Sequence, residues 1–317
     1  MPATDPRPVT VAVLTYRREG LLPDLLTSLT EQLAHRGVAA DRVLVVDNDP
    51  NRSAEVVVGQ LPGPIVYVPE PVPGIAAGRQ RALDETPLDH LLAYIDDDEI
   101  PNTDWLQQLV DAWVAHGRPA AVAGRVVPRY ETPPSPWIEA GGFFVRRSLP
   151  TGTVVQAAGA GNLLLDRRQV AALDLGFDTS LGMRGGEDTL FTRQLTQRGG
   201  VIVWCEEAQA SDLVPAGRAT RSWVLRRAYS HGSAHSMALI RLAPSWPGRL
   251  LTRARLVVGG LGRIPIGLAT SVVGRLRRDL RSEARGLWLA WRGSGLAAGA
   301  VGIGWAEYAR PTEAAGP

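Results

Sequence analysis

Hydrophobic and polar positions follow two regular patterns over the first hundred residues. Short β-branched apolar runs predict strands, and apolar residues at helical spacing predict the helices between them. The strands are predicted at 9–15, 43–46, 65–68 and 91–95, and helices at 21–33 and 76–83. Because strands and helices alternate, we expect an α/β fold with a mostly parallel sheet and helices on both faces.

Polar residues follow three of these predicted strands at the point where each strand ends. The groups are 15–18, Asp47 with Asn48, and the acidic run 96–99. In open α/β sheets, ligands bind beyond the carboxyl ends of the strands. The three groups therefore predict one binding site at a single edge of the sheet.

The pattern changes twice further along the chain. From about 120 to 217 it loosens into short strands and segments rich in Pro and Gly, which we interpret as the second half of the same domain. After Trp223, arginines are spaced through apolar stretches of helical character. We predict a domain of residues 1–240, followed by a basic, apolar helical tail of residues 241–317.

Charge is distributed unevenly between these two parts. All 34 basic residues other than histidine are arginines; residues 1–240 have 22 of them against 28 acidic residues, and the tail has 12 against 4. A hydrophobic content of 45% excludes a disordered chain. Cys205 is the single cysteine, so an intramolecular disulfide and a cysteine-rich zinc site are excluded. The N-terminal residues lack the pattern of a signal peptide, and we expect a cytoplasmic protein.

Two acidic motifs are candidates for chemistry. The run Asp96-Asp97-Asp98-Glu99 suits a hard divalent cation, which takes one or two carboxylates and completes its shell with phosphate and water. The alternative is a solvated turn that caps the next helix. Glu187 and Asp188 precede an apolar helical pattern, where they either stabilise the helix start or take a proton from a hydroxyl.

The order of motifs in this chain resembles that of family 2 glycosyltransferases of the GT-A fold, across about residues 8–235. The motifs are TYRR, VVDN, PGIAAGRQRAL, YIDDDEIPNTDWL, GAGNLLLDRR and GGEDTLFTRQLTQRG. The resemblance implies a GT-A (Rossmann-like) fold with a C-terminal helical extension. It also implies an inverting transferase that moves a sugar from a nucleotide-diphosphate donor to an acceptor hydroxyl on a glycan, a lipid or a natural product.

The resemblance also assigns roles by motif. Thr15, Tyr16, Arg17 and Asp47 are expected to hold the base and ribose, and Arg79 to approach the diphosphate. Asp96 and Asp97 are expected to face the nucleotide. Asp98 is expected to bind Mg²⁺ or Mn²⁺, with Asp188 as the general base and Glu187 as its support.

Some positions depart from the family pattern. Gln80 stands where the family usually has Asn, and Asp212 stands where many relatives have a His ahead of a Val-Pro pair. The segment 218–223 only approximates the Gln-x-x-Arg-Trp motif of processive relatives. Processive polymer synthesis is therefore not predicted.

Other functions fit the sequence less well. A sugar-nucleotide pyrophosphorylase or a dinucleotide oxidoreductase requires a glycine-rich loop after the first strand, which this chain lacks. His231 and His235 have metal-ligand spacing but no evident third ligand. We expect no nucleic-acid partner. A carbohydrate-binding or scaffold protein that kept the fold without turnover stays as the alternative to an enzyme.

The tail suggests contact with a membrane. Its longest uncharged stretches, 264–274 and 293–306, have 11 and 14 residues, fewer than the roughly 20 that a spanning helix needs. Five arginines between 275 and 285 lie beside Trp288 and Trp291. This pattern predicts a basic amphipathic helix in an anionic interface, on the inner face of the cell membrane. The alternative is that the tail helices pack on the domain or in a dimer.

Overall fold

The computed structural model describes residues 7–183 and 185–304. Within these residues the strands join one nine-stranded mixed sheet. The strands are β1 (Val9–Thr15), β2 (Arg42–Asp47), β3 (Ile65–Pro69), β4 (Leu91–Asp96), β5 (Glu99–Pro101), β6 (Ala121–Tyr130), β7 (Val154–Val155), β8 (Asn162–Asp166) and β9 (Ile202–Val214).

Helices cover both faces of this sheet and form the C-terminal region. They are α1 (Leu22–Arg36), α2 (Glu55–Gly59), α3 (Ile75–Glu85), α4 (Trp105–Ala115), α5 (Pro136–Gly141), α6 (Arg167–Ala172), α7 (Glu187–Gln197), α8 (Arg221–Leu242), α9 (Trp246–Leu276) and α10 (Leu280–Ala300). The four predicted early strands and the first two longer helices lie within a few residues of their predicted positions.

The order of strands across the sheet is β3-β2-β1-β4-β8-β6-β9-β5, and β7 pairs with β9. The first four strands are parallel, which aligns their carboxyl ends: Thr15 pairs with Asp47, and Leu14 with Asp96. The expectation of a mostly parallel sheet is wrong for the second half. There β8 runs antiparallel between β4 and β6, because the chain re-enters the sheet from the strand-end side.

Two apolar layers hold the helices on the sheet. On one face, α1 buries Leu26 and Leu29 beside β2, and α4 buries Trp105 and Trp113 beside β6 and β9. On the other face, Phe177 and Phe191 are stacked with ring centroids 4.3 Å apart. Burial of large apolar side chains on both faces fixes the strand ends rigidly, which is what a site built on them requires.

The three C-terminal helices approach one another through small residues. A Cβ added at Gly295 of α10 would lie 2.0 Å from the Tyr229 carbonyl oxygen of α8, and one at Gly260 of α9 would lie 2.6 Å from the Gly293 carbonyl oxygen. Only glycine allows backbones to come this close. Helix α10 also contacts α5, where Arg285 Nε donates to the Gly141 carbonyl 3.2 Å away. The tail therefore lies against the rest of the molecule.

Helix α9 has an unusual distribution of side chains. Its small residues Gly260, Gly267, Ser271 and Gly274 are buried, whereas its large apolar residues face outward. The exposed ones are Trp246, Leu250, Leu251, Val258, Leu261, Ile266, Leu268, Val272, Val273 and Leu276.

Over the described residues, α9 is the one helix that is long and apolar enough to cross a membrane, judged by length and composition. Arg263 divides α9 into shorter uncharged stretches. The stretch 264–274 is therefore only part of this helix, and its length underestimates the length of the apolar helix. The end of the second uncharged stretch, beyond residue 304, lies outside the described residues.

Candidate functional site

The acidic run lies at the turn between two strands of the sheet. Strand β4 ends at Asp96, and β5 begins at Glu99 and pairs with β9, where Glu99 stands opposite Asp212. The Leu213 amide donates to the Asp98 carbonyl 3.3 Å away, which holds the turn. The fold thus adds Asp212, from more than a hundred residues away, to the four carboxylates of the run.

A cavity of about 670 Å³, which we call the strand-end cavity, opens beside this turn. Of the residues predicted to bind a nucleotide sugar or a metal, Thr15, Tyr16, Asp96, Asp97 and Asp98 line it. Asn48, Arg18, Arg218 and two aromatic residues, Phe143 and Phe144, line it as well. Phe144 is stacked on Trp223 with ring centroids 5.7 Å apart, so this aromatic wall is anchored on α8.

Asp47 does not line the strand-end cavity. Its side chain is fully buried and accepts hydrogen bonds from the Asp49 and Ala54 amides, both at 2.9 Å, and from the Tyr67 hydroxyl at 3.0 Å. These bonds shape the turn after β2. Asn48, the next residue, reaches the cavity instead, and its Oδ1 accepts from the Gly74 amide at 2.9 Å.

The two arginines of the TYRR motif diverge. Arg17 has a left-handed backbone (φ 53°), and its Nε donates to Asp49 Oδ2 3.4 Å away. Arg18 turns inward and forms ion pairs with Asp97 and Asp98, at 2.6 Å and 2.7 Å. Arg18 belongs to the group 15–18 that was predicted at this edge, but no role was predicted for it. The motif shows a second arginine, but only the left-handed turn at Arg17 determines which of the two faces the carboxylates.

The carboxyl groups at the turn lie so close together that the negative charge of each one opposes ionisation of its neighbours. Burial raises the pKa of Asp97 to about 6 even though Arg18 lowers it, and burial with the nearby Asp96 and Asp212 raises the pKa of Glu99 well above its usual value. Glu99 Oε2 is buried and has no hydrogen-bond partner within the described residues. Such a group of oxygen ligands attracts a cation.

We tested whether these residues suit a divalent metal. No group of three or more His, Cys, Asp or Glu side chains among the described residues is arranged to enclose an ion. Mg²⁺ and Mn²⁺ do not require such a cage when substrate phosphates and water complete the shell. Asp98 and Asp212 line the strand-end cavity, where a phosphate has access to them, so the donor set fits a cation shared with a bound diphosphate.

A second cavity of about 510 Å³, which we call the helix-side cavity, lies on the other side of the acidic turn. Both cavities are lined by Asp96, Glu99 and Arg146. Glu187 and Asp188 reach the helix-side cavity from the first turn of α7, which follows two glycines of positive φ, Gly185 (73°) and Gly186 (87°).

Arg79 connects the two groups of acids. Its guanidinium is ion-paired with Glu187 and lies 3.3 Å from Asp96. Burial raises the pKa of Glu187, and the positive charge of Arg79 opposes this shift. Arg79 therefore binds carboxylates in this structure, and Glu187 is held in place beside Asp188.

Glycines leave room around the carboxylates of both acidic motifs. A Cβ at Gly161 would lie 2.6 Å from Asp96 Oδ2 and 2.9 Å from Glu99 Oε1. A Cβ at Gly159 would lie 3.6 Å from Asp188 Oδ2, so the space in front of this oxygen is open. The two glycines of the GAGN motif thus leave space beside these carboxylates. The sequence alone does not show this role, because it depends on which side chains lie next to the motif in the fold.

The histidine pair does not form a metal site. His231 and His235 both line the helix-side cavity, but the described residues supply no third ligand. Burial lowers the pKa of both imidazoles, and nearby arginines lower it further. A positive surrounding of this kind repels a cation.

The sheet order and the two acidic motifs beside its strand ends agree with the glycosyltransferase class that the motifs resemble. Residues 10–171 match the family model described as glycosyl transferase family 2. The chain is 33% identical over 239 residues to the succinoglycan biosynthesis protein ExoM of Rhizobium meliloti (strain 1021), covering 74% of this chain and 76% of that protein. The protein belongs to glycosyltransferase family 2.

Solved structures share the fold. The mannosyltransferase PcManGT from Pyrobaculum calidifontis, in complex with GDP-Man and Mn²⁺, superimposes with a TM-score of 0.55 at 21% identity, over 92% of this chain and 88% of that one. TarS of S. aureus (residues 1–349), in complex with UDP-GlcNAc, gives a TM-score of 0.53 at 13% identity, over 87% and 89%. At these identities the likeness establishes the fold.

Proposed function

We propose that this glycosyltransferase moves a sugar, with inversion, from a nucleotide-diphosphate donor in the strand-end cavity to an acceptor hydroxyl in the helix-side cavity. The observation that carries the proposal is that the two cavities meet at Asp96 and Glu99. A donor and an acceptor bound on the two sides bring the anomeric carbon and the hydroxyl together at this boundary.

The donor side has the features that a nucleotide diphosphate requires. Thr15, Tyr16 and Asn48 line the part of the cavity at the ends of β1 and β2, and Asp47 acts there by shaping the turn. Arg18 and Arg218 are cations within reach of a diphosphate. PcManGT with GDP-Man and TarS with UDP-GlcNAc support a nucleotide sugar as the donor class.

Asp98, together with Asp212, is the proposed holder of a divalent cation. PcManGT and GalNAc-T7 were both solved with Mn²⁺, which supports a metal of this class. When bound, the ion neutralises charge that develops on the departing diphosphate. Asp98 is ion-paired with Arg18 and lies 3.4 Å from Arg218. The two guanidinium groups therefore also lie where they can balance the negative charge of the diphosphate.

Asp188 is the proposed general base. It takes the proton of the acceptor hydroxyl as the hydroxyl oxygen attacks the anomeric carbon from the face opposite the leaving diphosphate. A single displacement of this kind inverts the anomeric configuration. Glu187, held by Arg79, fixes the first turn of α7 and thereby positions Asp188.

A donor screen tests the proposed function. The protein is incubated with Mn²⁺ and a panel of UDP-, GDP- and TDP-sugars, and release of the free nucleotide is followed with a sensitive coupled assay. We expect at least one donor to be consumed, faster when its acceptor is present. Tight binding of a sugar without consumption of any donor would favour the carbohydrate-binding alternative.

Calorimetry tests the metal assignment. UDP and GDP are titrated with and without Mn²⁺ into the wild type and Asp98→Ala, with Asp104→Ala, an exposed acid outside both cavities, as the control. We expect Mn²⁺ to strengthen binding of one nucleotide by at least about tenfold in the wild type and the control, and much less in Asp98→Ala. Unchanged metal dependence in Asp98→Ala would remove Asp98 from the site.

We also propose that the protein works at the cytoplasmic face of an anionic membrane, with α9 lying in the interface. Large apolar side chains cover the outer face of α9, and arginines 249, 253 and 255 near its start and 275, 277 and 278 at its end supply positive charge. Lying flat fits better than crossing, because α9 runs beside α10, which is docked on α8 and α5.

Vesicle co-sedimentation tests this membrane proposal. We compare the wild type with a triple variant, Val258→Gln, Ile266→Gln and Leu276→Gln, and with Val56→Gln, an equally exposed valine of the catalytic domain. Wild type and Val56→Gln are expected to bind anionic vesicles and to dissociate in salt, and the triple variant to bind at least about tenfold more weakly. Wild type that stays in the supernatant at low salt would contradict the proposal and favour a dimer contact.

A further inference from the structure

The lining of the helix-side cavity contains several arginines. Three of them come from different helices: Arg193 from α7, Arg227 from α8, which also lines the strand-end cavity, and Arg292 from α10. A fourth, Arg147, comes from the loop after α5 and donates to the Ala157 carbonyl at 3.1 Å. Residues spread over 145 positions of the chain therefore contribute positive charge to one small volume.

Two of these arginines lack a carboxylate partner. Among the described residues, neither Arg193 nor Arg292 forms an ion pair, and Arg193 Nε is buried with no hydrogen-bond partner. Arg292 lies 5.2 Å from the ring centroid of Trp288, which positions its guanidinium without neutralising it. Of the acids in the same lining, Glu187 and Asp96 are already ion-paired with Arg79. The cavity thus contains two arginines, Arg193 and Arg292, whose charge no carboxylate among the described residues balances.

The two histidines on α8 line the same cavity, and their pKa values are lowered by the positive charge of these arginines. Beyond burial, the pKa of His231 is lowered by Arg227, Arg292 and Arg146. The pKa of His235 is lowered, after burial, by Arg292, Arg193 and Arg263. Positive charge from three helices therefore converges on the interior of the cavity, where an anion would relieve it.

We propose that the arginines of the helix-side cavity bind a phosphate group on the acceptor. The inference rests on the proposed function, because it names the acceptor class for the same site. Guanidinium groups form paired hydrogen bonds with phosphate oxygens, and several converging arginines suit a doubly charged group. Asp188 and Arg193 both lie on α7 and both line this cavity. One sugar phosphate can therefore present its hydroxyl to Asp188 and its phosphate to the arginines.

Calorimetry on the full-length protein tests the phosphate site. The donor cavity is first saturated with Mn²⁺ and whichever of UDP, GDP or TDP binds, so that added phosphate cannot enter it. Hexose 1-phosphates and the matching methyl hexosides are then titrated. We expect the phosphates to bind at least about tenfold more tightly than the neutral sugars, because charged hydrogen bonds form only with the phosphates.

Variants assign the binding to the arginines. Arg193→Gln and Arg292→Gln are each expected to weaken hexose 1-phosphate binding about tenfold, and the double variant about a hundredfold. Nucleotide affinity should stay within twofold in all of them. Arg281→Gln is the control, because it removes the same charge from an exposed position of α10 outside the cavity.

A further arm identifies the source of the phosphate. A hexose linked through a phosphodiester to a short prenyl chain, presented in neutral detergent, is compared with the methyl phosphodiester of the same hexose, which carries the same single charge. Tighter binding of the prenyl compound indicates a lipid-borne acceptor, and equal binding indicates a soluble one. Loss of either in the double variant supports the phosphate site.

Two results would overturn the inference: phosphates that bind no better than neutral sugars, or a double variant that binds them like the wild type. If none of UDP, GDP and TDP binds with Mn²⁺, the proposed function fails instead. The hexose 1-phosphate titration on the nucleotide-free protein then still tests the arginine site by itself.

Discussion

At the scale of single residues, the site depends as much on missing side chains as on present ones. Gly161 is needed because the Asp96 and Glu99 carboxylates occupy the space of a Cβ. The sequence motif contains this glycine, but only the close approach of the two carboxylates explains why it is there. The orientation of Arg18 is likewise not visible in the sequence motif, because it depends on the left-handed backbone of Arg17, the residue before it.

We predict that Gly161→Ala lowers kcat/KM by about a hundredfold, because it displaces two carboxylates at the boundary between the cavities and reacting groups tolerate little misplacement. Steady-state kinetics with the donor found in the screen measures this. Gly20→Ala is the control, since a Cβ there meets no atom within 4 Å. Equal kcat/KM in both variants would show that the carboxylates adjust without cost.

The buried thiol of Cys205 gives a prediction on pH. Burial raises the pKa of this thiol to about 11, above its ordinary value, so the thiolate forms more readily in the unfolded chain. Because the pKa of this thiol is higher in the folded than in the unfolded state, the unfolded state loses its proton first. The free energy of unfolding therefore falls as the pH rises from about 9 towards 11. Between pH 8 and pH 10, the wild type should lose about 1 kcal/mol more than Cys205→Ala in urea titrations. Parallel losses in the two proteins would contradict this.

At the scale of elements, a buried amide joins the strands behind the site. Asn162 Oδ1 accepts from Trp105 Nε1 at 2.9 Å, and its Nδ2 donates to the carbonyls of Arg125 and Ala208 at 3.0 Å and 2.9 Å. These bonds tie α4, β6 and β9 to the start of β8. The strand that carries Asp212 is thereby fixed relative to the acidic turn.

We predict that Asn162→Ala lowers the free energy of unfolding by about 3 kcal/mol, since it leaves three buried polar groups without a partner. Urea unfolding followed by circular dichroism measures the change, with the exposed Asn51→Ala as the matched control. A loss below 0.5 kcal/mol, on the order of an ordinary surface substitution, would mean that the network is dispensable.

The elements also show what the sequence can and cannot predict. The four early strands and the acidic run after β4 follow from local apolar patterns, and they were predicted. The insertion of β8 between β4 and β6 depends on pairing between distant segments, so it was not. Packing of the tail on the domain was only the alternative prediction, and the docking of α10 on α8 could not be predicted, because glycines such as Gly295 matter only when their partner backbone is known.

At the scale of the whole molecule, three parts meet at one place. The parallel half of the sheet supplies the proposed donor side, α7 supplies the acid pair, and α8 and α10 supply arginines to the helix-side cavity. Residues such as Arg193 and Arg292 carry no local signal, because their shared cavity forms only when three helices converge. The residues assigned from the family motifs line the two cavities, except Asp47 and Arg17, which line neither.

The transfer rate of Asp188→Asn tests the central claim most directly. An amide keeps the shape of the side chain but cannot accept the proton of the acceptor, and loss of a general base costs about 10²- to 10⁴-fold. With the donor and acceptor found in the screen, both saturating, the account predicts a fall in transfer of this size, while calorimetry shows nucleotide affinity within a few-fold of the wild type. Transfer by Asp188→Asn at the wild-type rate would contradict the account.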